Sequence, residues 1–202
     1  MKTLIWSLLV TWFAVVVYLG VLGTFVRPPE EPPIPIVIGV LAPLVAFVAA
    51  YLSWGSFRKF ILSADLPLLT AIQAWRAGGL AFIALHAQGL LPGLFAWPAG
   101  LGDIAIGVTA PWVARTLTGR PGFVTSSLFA IWNMLGILDL VVAASTGALS
   151  SGFLPGFSGN ATMAPMAELP LVLIPAYLVP LFVMLHLAAL WQARRREHTP
   201  PT

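Results

Sequence analysis

Cysteine is absent from this chain, which removes disulfides, thiolate metal sites, iron–sulfur clusters and cysteine nucleophiles from consideration. Charge is nearly as scarce. Asp, Glu, Lys and Arg make up 8% of the 202 residues, against about 25% in a soluble domain. A water-exposed surface of ordinary composition cannot be built from so few charges. Lysine is reduced to Lys2 and Lys59, and no basic run interleaved with aromatics is present, so nucleic acid is not an expected partner. Walker, GxGxxG, GxSxG and HExxH motifs are missing as well.

What the chain does contain is apolar sequence, 59% of it, in runs long enough to cross a bilayer. A helix needs about 20 such residues to span the hydrocarbon. Six stretches qualify, near residues 3–26, 34–54, 65–91, 100–117, 123–144 and 169–191. The expected fold is therefore all-α: a single integral membrane domain over residues 1–202, a polytopic bundle of six transmembrane helices. The first apolar run, Leu4 to Phe25, is longer than the core of a secretory signal, which is about 7–15 residues. It reads as a retained first helix.

Between the first two runs, Arg27-Pro28-Pro29-Glu30-Glu31-Pro32-Pro33 must leave the helix and run extended. Arg58 and Lys59 sit in a short interfacial turn of helix. Asp65 is placed to cap the third span, with Pro67 in its first turn. With both termini cytoplasmic, the inner side receives Lys2, Arg58, Lys59, Arg115, Arg120, Arg194, Arg195 and Arg196, and the outer side only Arg27. That asymmetry obeys the positive-inside rule at every short loop. A composition rich in Ala, Gly, Pro and Arg points to the inner (plasma) membrane of a GC-rich bacterium. The lipid bilayer is the expected partner. A chain this small would need a homodimer or a larger membrane complex to enclose a pathway.

Against this apolar background, Arg76, His86, Asp103, Asp139 and His186 stand out. An ionisable group in hydrocarbon costs at least about 2.5–3.5 kcal/mol, so it faces a bundle interior or a wet cavity and has a partner. At about 100° per residue, Gln73, Arg76, Gly79, Ile83 and His86 share one side of the third helix. Arg76 lies mid-membrane and His86 toward the outer end. Arg76 reads first as half of a buried ion pair, with Asp103 or Asp139, and second as a binder of an anionic or carbonyl-bearing ligand. On the fourth helix Gly100, Asp103, Gly107, Ala110 and Ala114 form a small-residue stripe, which lets helix backbones approach closely in lipid. Asp103 is expected in that helix's first turn, after the Pro-Gly-rich break Leu91–Gly100, as a stabiliser paired with Arg76 or His86.

Asn133 and Asp139 lie about 120° apart on the fifth helix, so they are not expected to reach one small ligand together. On the sixth helix Pro170, Pro175 and Pro180 loosen the outer half, and proline frees carbonyls that must find partners, often at a cavity. His186 falls in the inner third. Any functional site is expected to open outward, bounded by His86, the Pro92–Asp103 break and the aromatic-glycine loop Gly152–Gly159.

The leading functional expectation is a site that binds or transports a small solute or protons, using Arg76, His86, Asp103, Asn133 and Asp139. Three alternatives stand beside it. One is a b-type haem or metal redox protein with His86 and His186 as ligands, although their different depths oppose a shared haem. Another is an enzyme acting on a lipid or isoprenoid, with Arg76, His86, Asp103 and Asp139 as acid, base and anion stabiliser. The absence of a DDxxD-like cluster speaks against metal-bound diphosphate chemistry there. The last is a structural subunit whose charges only fix helix packing. The topology is directly testable: C-terminal reporter fusions after Phe25, Trp54, Leu91, Leu117 and Ala144 should alternate in location, and two successive fusions on one side would sink it.

Overall fold

A chain with so little polar sequence must satisfy its backbone internally, and helices do this within one segment. The computed structural model describes every residue except 29, 154–155, 157–160 and 198–202, and among the described residues there are helices and no strands. Helix α1 covers Lys2–Val21, α2 Ile34–Ser53 and the short α3 Gly55–Leu62. Helix α4 covers Leu66–Ala87, α5 Gly93–Gly119 and α6 Ser127–Leu149. Helix α7 opens as a π turn over Ile174–Leu178 and continues as α-helix over Val179–Glu197. All but α3 are long and apolar enough to cross a membrane.

The capping chemistry matches the sequence. Asp65 Oδ1 accepts from the Leu68 amide at the start of α4, and Ser126 Oγ accepts from the Phe129 amide at the start of α6. At the other end of α3, the Gln192 side chain of α7 donates to the carbonyls of Ile61 and Ala64. Helix ends leave such carbonyls orphaned, and here a buried amide takes them up.

One end of the bundle gathers Ile5, Tyr51, Phe57, Ile61 and Trp191, with Leu66, Leu117, Val124 and Ala193 beside them. It therefore holds the start of α1, the whole of α3 and the ends of α2, α5 and α7, the elements that carry most of the basic residues. Phe25, Val172, Leu91, Phe95 and Met166 pack in two clusters at the opposite end. Helix α5 is the central pillar, packing on both α4 and α6. Helix α1 is peripheral and touches the π turn of α7, where Tyr177 meets the rings of Trp12 and Phe13.

Several boundaries differ from the sequence expectation, and one difference matters. Helix α5 starts at Gly93, capped by Pro92, and runs through Pro98 and Pro111. No break spans Leu91–Gly100. A proline inside a helix removes one hydrogen bond, but unwinding the stretch in an apolar setting would orphan many more backbone groups. Asp103 consequently lies in the third turn of α5 and not in the first. The π turn of α7 contains Pro175 and ends before Pro180, and the Leu171 carbonyl orphaned by Pro175 accepts instead from the Ile174 amide.

Within α4, residues Gln73–Gly79 wind as a 3₁₀-helix, longer than the three or four residues usual for that geometry. The Gly78-Gly79 pair weakens α-helical preference there. The small-residue stripe of α5 packs against this stretch: a Cβ on Gly107 would strike the Ala77 amide nitrogen, and one on Gly79 would strike Asp103. Close backbone approach of this kind is what holds helices together where lipid removes the hydrophobic drive. Gly107→Ala should thus cost about 1–3 kcal/mol by overpacking, read as a lower unfolding midpoint in detergent. Gly78→Ala is the control. Its Cβ meets nothing within 4 Å, so it should not destabilise, and lower unfolded-state entropy should raise stability by about 0.4–1 kcal/mol.

Candidate functional site

The 3₁₀ stretch carries Arg76 into the centre of the bundle with its side chain fully buried. A guanidinium stays protonated inside a protein and offers only donors, so burial requires acceptors on several sides. Three helices supply them. Nε donates to Asp103 Oδ1 of α5 at 2.7 Å, and Nη2 to Asp139 Oδ2 of α6. Nη1 donates to the Gly136 carbonyl of α6 at 3.2 Å and lies 3.1 Å from His186 Nε2 of α7. One guanidinium thus ties α4 to α5, α6 and α7. The Phe182 ring, centred 6.0 Å from Cζ, lies over it.

The partners assign the histidine tautomer. Arginine can only donate, so His186 Nε2 accepts, and the ring proton sits on Nδ1, 2.9 Å from Asn133 Oδ1. The Asn133 amide group in turn donates to the Phe129 carbonyl at 2.9 Å, which fixes which atom of the amide faces the ring. His186 is therefore neutral, and neither ring nitrogen remains for an iron. Trp132 stands edge-on to the His186 ring at 5.4 Å and donates from Nε1 to Thr109 Oγ1. Gln73, also buried, donates to the Phe182 carbonyl, while its own Oε1 has no hydrogen-bond partner.

Glycines make room for these side chains. A Cβ on Gly102 would collide with the Asp139 carboxylate, and one on Gly136 with the His186 ring. With Gly79 against Asp103, each acidic or imidazole partner of Arg76 lies where a glycine on a neighbouring helix leaves space.

Beside the cluster is a cavity of about 320 Å³. It lies between α2 and α6, with Pro33, Ser151 and Met163 among its lining residues, and Asp103 lines it as well. Its walls are apolar, with Val40, Phe95 and Leu140 among them, and Asp103 is its one ionisable residue. The volume lies in the range of small-ligand pockets, about 300–1,000 Å³.

The sequence candidates separate into two groups. Arg76, Asp103, Asp139, Asn133 and His186 form one connected network. Arg76 engages both aspartates, where the sequence argument expected one or the other. Asn133 and Asp139, on different faces of α6, are joined through His186 and Arg76. His86 stands apart: its Nδ1 donates to the Leu91 carbonyl at 2.9 Å, its ring packs on Trp97, and it does not line the cavity. Of the two partners expected for Asp103, Arg76 or His86, the structure has Arg76, and His86 makes a local contact instead, where Pro92 turns the chain back beside it. Most of the Gly152–Gly159 loop lies outside the described residues. No group of three or more potential metal ligands occurs among the described residues.

Residues 33–194 match a family model described as Domain of unknown function (DUF8737). The chain belongs to that family. No curated protein and no solved structure matches it. The matched stretch includes every residue of the Arg76 network and every residue lining the cavity, and leaves α1 outside.

Gly136 and Thr109 were not singled out by sequence reasoning. For Gly136 a signal existed, since Asn133, Gly136 and Asp139 recur every third residue on α6. Arg76→Ala strands two carboxylates in the bundle interior and should cost about 3–5 kcal/mol. Adding Asp103→Asn and Asp139→Asn to it should restore part of that loss, and an unchanged unfolding temperature for Arg76→Ala alone would show that the cluster does not hold the helices.

Proposed function

We propose that this is a six-span membrane protein, termini cytoplasmic, that binds a small lipophilic molecule in the α2–α6 cavity and carries it across or within the membrane. The observation that carries this reading is the distribution of polarity: a mostly apolar cavity lined by one carboxylate, Asp103, held in place by a buried arginine. Apolar walls with a few oriented polar groups are the usual composition of a ligand pocket. The sequence expectation of a small solute or protons narrows in this way to a solute that partitions into lipid. The composition and the placement of the basic residues support a location in the bacterial inner membrane.

The irregular stretches fit a carrier. The 3₁₀ segment of α4 holds Arg76, and the π turn of α7 contributes Ile174 and Pro175 to the cavity wall. Mid-helix 3₁₀ and π geometry often marks a functional hinge. The enzyme alternative requires His86 to face the same substrate as the two aspartates, and His86 instead bonds to Leu91 outside the cavity. The redox alternative requires His186 as a ligand, and both of its ring nitrogens are engaged.

A diazirine-bearing fatty alcohol, photoactivated in proteoliposomes, tests the cavity. Labels should concentrate on lining residues such as Val40, Leu140 and Met163, and Val40→Trp, which fills the space from the α2 side, should suppress them at least several-fold. Labelling spread evenly over the lipid-facing surfaces of all helices, unaffected by Val40→Trp, would falsify the proposal.

A further inference from the structure

The Arg76 cluster sets two carboxyl groups against one guanidinium. With both aspartates ionised, Arg76 contributes one positive charge, Asp103 and Asp139 one negative charge each, and His186 none, because its partners hold it as the neutral Nδ1–H tautomer. The sum is one excess negative charge in the interior of an apolar bundle. Removing an uncompensated charge from water costs several kcal/mol even after relaxation, so either a proton on one carboxyl group or a cation seated beside it must compensate. No other cationic side chain lines the cavity or contacts the cluster in the described structure.

The two carboxylates are not equivalent. Asp139 lies against Gly102 and does not line the cavity. Asp103 uses Oδ1 for Arg76 and lines the cavity. Any excess charge is therefore presented to the cavity at Asp103, among walls that mostly suit a hydrocarbon body.

Resting on the proposed ligand-binding role, we infer that the occupant is a lipophilic cation: an apolar body carrying a protonated amine that seats on Asp103. The apolar part fills the space between α2 and α6, and the ammonium donates to the carboxylate while neutralising the cluster. Anionic amphiphiles are disfavoured by the same carboxylate. Neutral alcohols can donate a hydrogen bond but leave the excess charge uncompensated. A charge-assisted hydrogen bond in a desolvated site is stronger than a neutral one, which sets the size of the expected preference.

The test uses probes with a common body: 4-phenylbutylamine, 4-phenylbutan-1-ol and butylbenzene, with binding measured by equilibrium dialysis against the full-length protein in nanodiscs. Empty nanodiscs give the partition background. The amine should bind on the order of tenfold more tightly than the alcohol. Asp103→Asn leaves Arg76 paired with Asp139 and the cluster neutral, so it should bring amine and alcohol to within about twofold of each other. Asp103→Glu, which keeps the charge, should retain the preference, so a general loss of folding is distinguishable from loss of the carboxylate. Val40→Trp should weaken all three probes together. Equal binding of amine and alcohol to the native protein, still blocked by Val40→Trp, would leave the cavity reading intact and overturn the cationic occupant, placing a proton on the carboxylate pair instead. Binding of every probe no greater than to empty nanodiscs, or insensitive to Val40→Trp, would overturn the ligand-binding role and the inference with it.

Discussion

A guanidinium that cannot lose its charge sits where there is no water to solvate it, and the arrangement of four helices answers to that fact. Arg76 needs acceptors in several directions at once, and they come from α5, α6 and α7. In lipid, where apolar side chains gain little by leaving the hydrocarbon for one another, such polar ties and close backbone contacts decide which helix sits beside which. The cluster therefore acts as a register mark for the bundle. Sliding α4 by one turn against α5 would carry Arg76 about 5.4 Å away from Asp103.

The surrounding features follow from making space for that cluster. Gly79, Gly102, Gly107 and Gly136 stand where any side chain would collide with a partner of Arg76 or with the backbone that carries it. The 3₁₀ winding of Gln73–Gly79 and the π turn before Val179 lie on the two helices that bring Arg76 and His186 together. Helix α2, packed on α3 and α7, leaves the cavity between itself and α6. The result is a tightly packed polar core on one side of Asp103 and an apolar void on the other. Asp103 belongs to both, which is what makes it the residue on which the functional argument turns.

Spans α1, α2, α4 and α6 were legible because apolar length is a direct consequence of bilayer thickness. The Asp65 cap was legible because capping chemistry is local. The start of α5 was misplaced because Pro92, Gly93, Pro98 and Gly100 individually signal a break, while the requirement to satisfy backbone groups in an apolar environment overrides them. The ion pair was anticipated from the cost of burying Arg76, and only its choice between Asp103 and Asp139 was left open. The contact of His86 with the Leu91 carbonyl was not legible, because it depends on how the chain turns at Pro92.

By itself, then, the sequence determined the class of fold, the approximate spans and the rule that Arg76 must have acidic company, since these follow from transfer energies that depend on residue type alone. The tertiary structure decided that both aspartates share the arginine, that His186 is held neutral by Arg76 and Asn133, that His86 is excluded, and that Asp103 alone faces a cavity. Those outcomes rest on distances of a few ångströms between helices far apart in the chain. Residue periodicity fixes which face of a helix a side chain occupies, but the face it meets is chosen only when the glycines of the neighbouring helix allow the backbones to close.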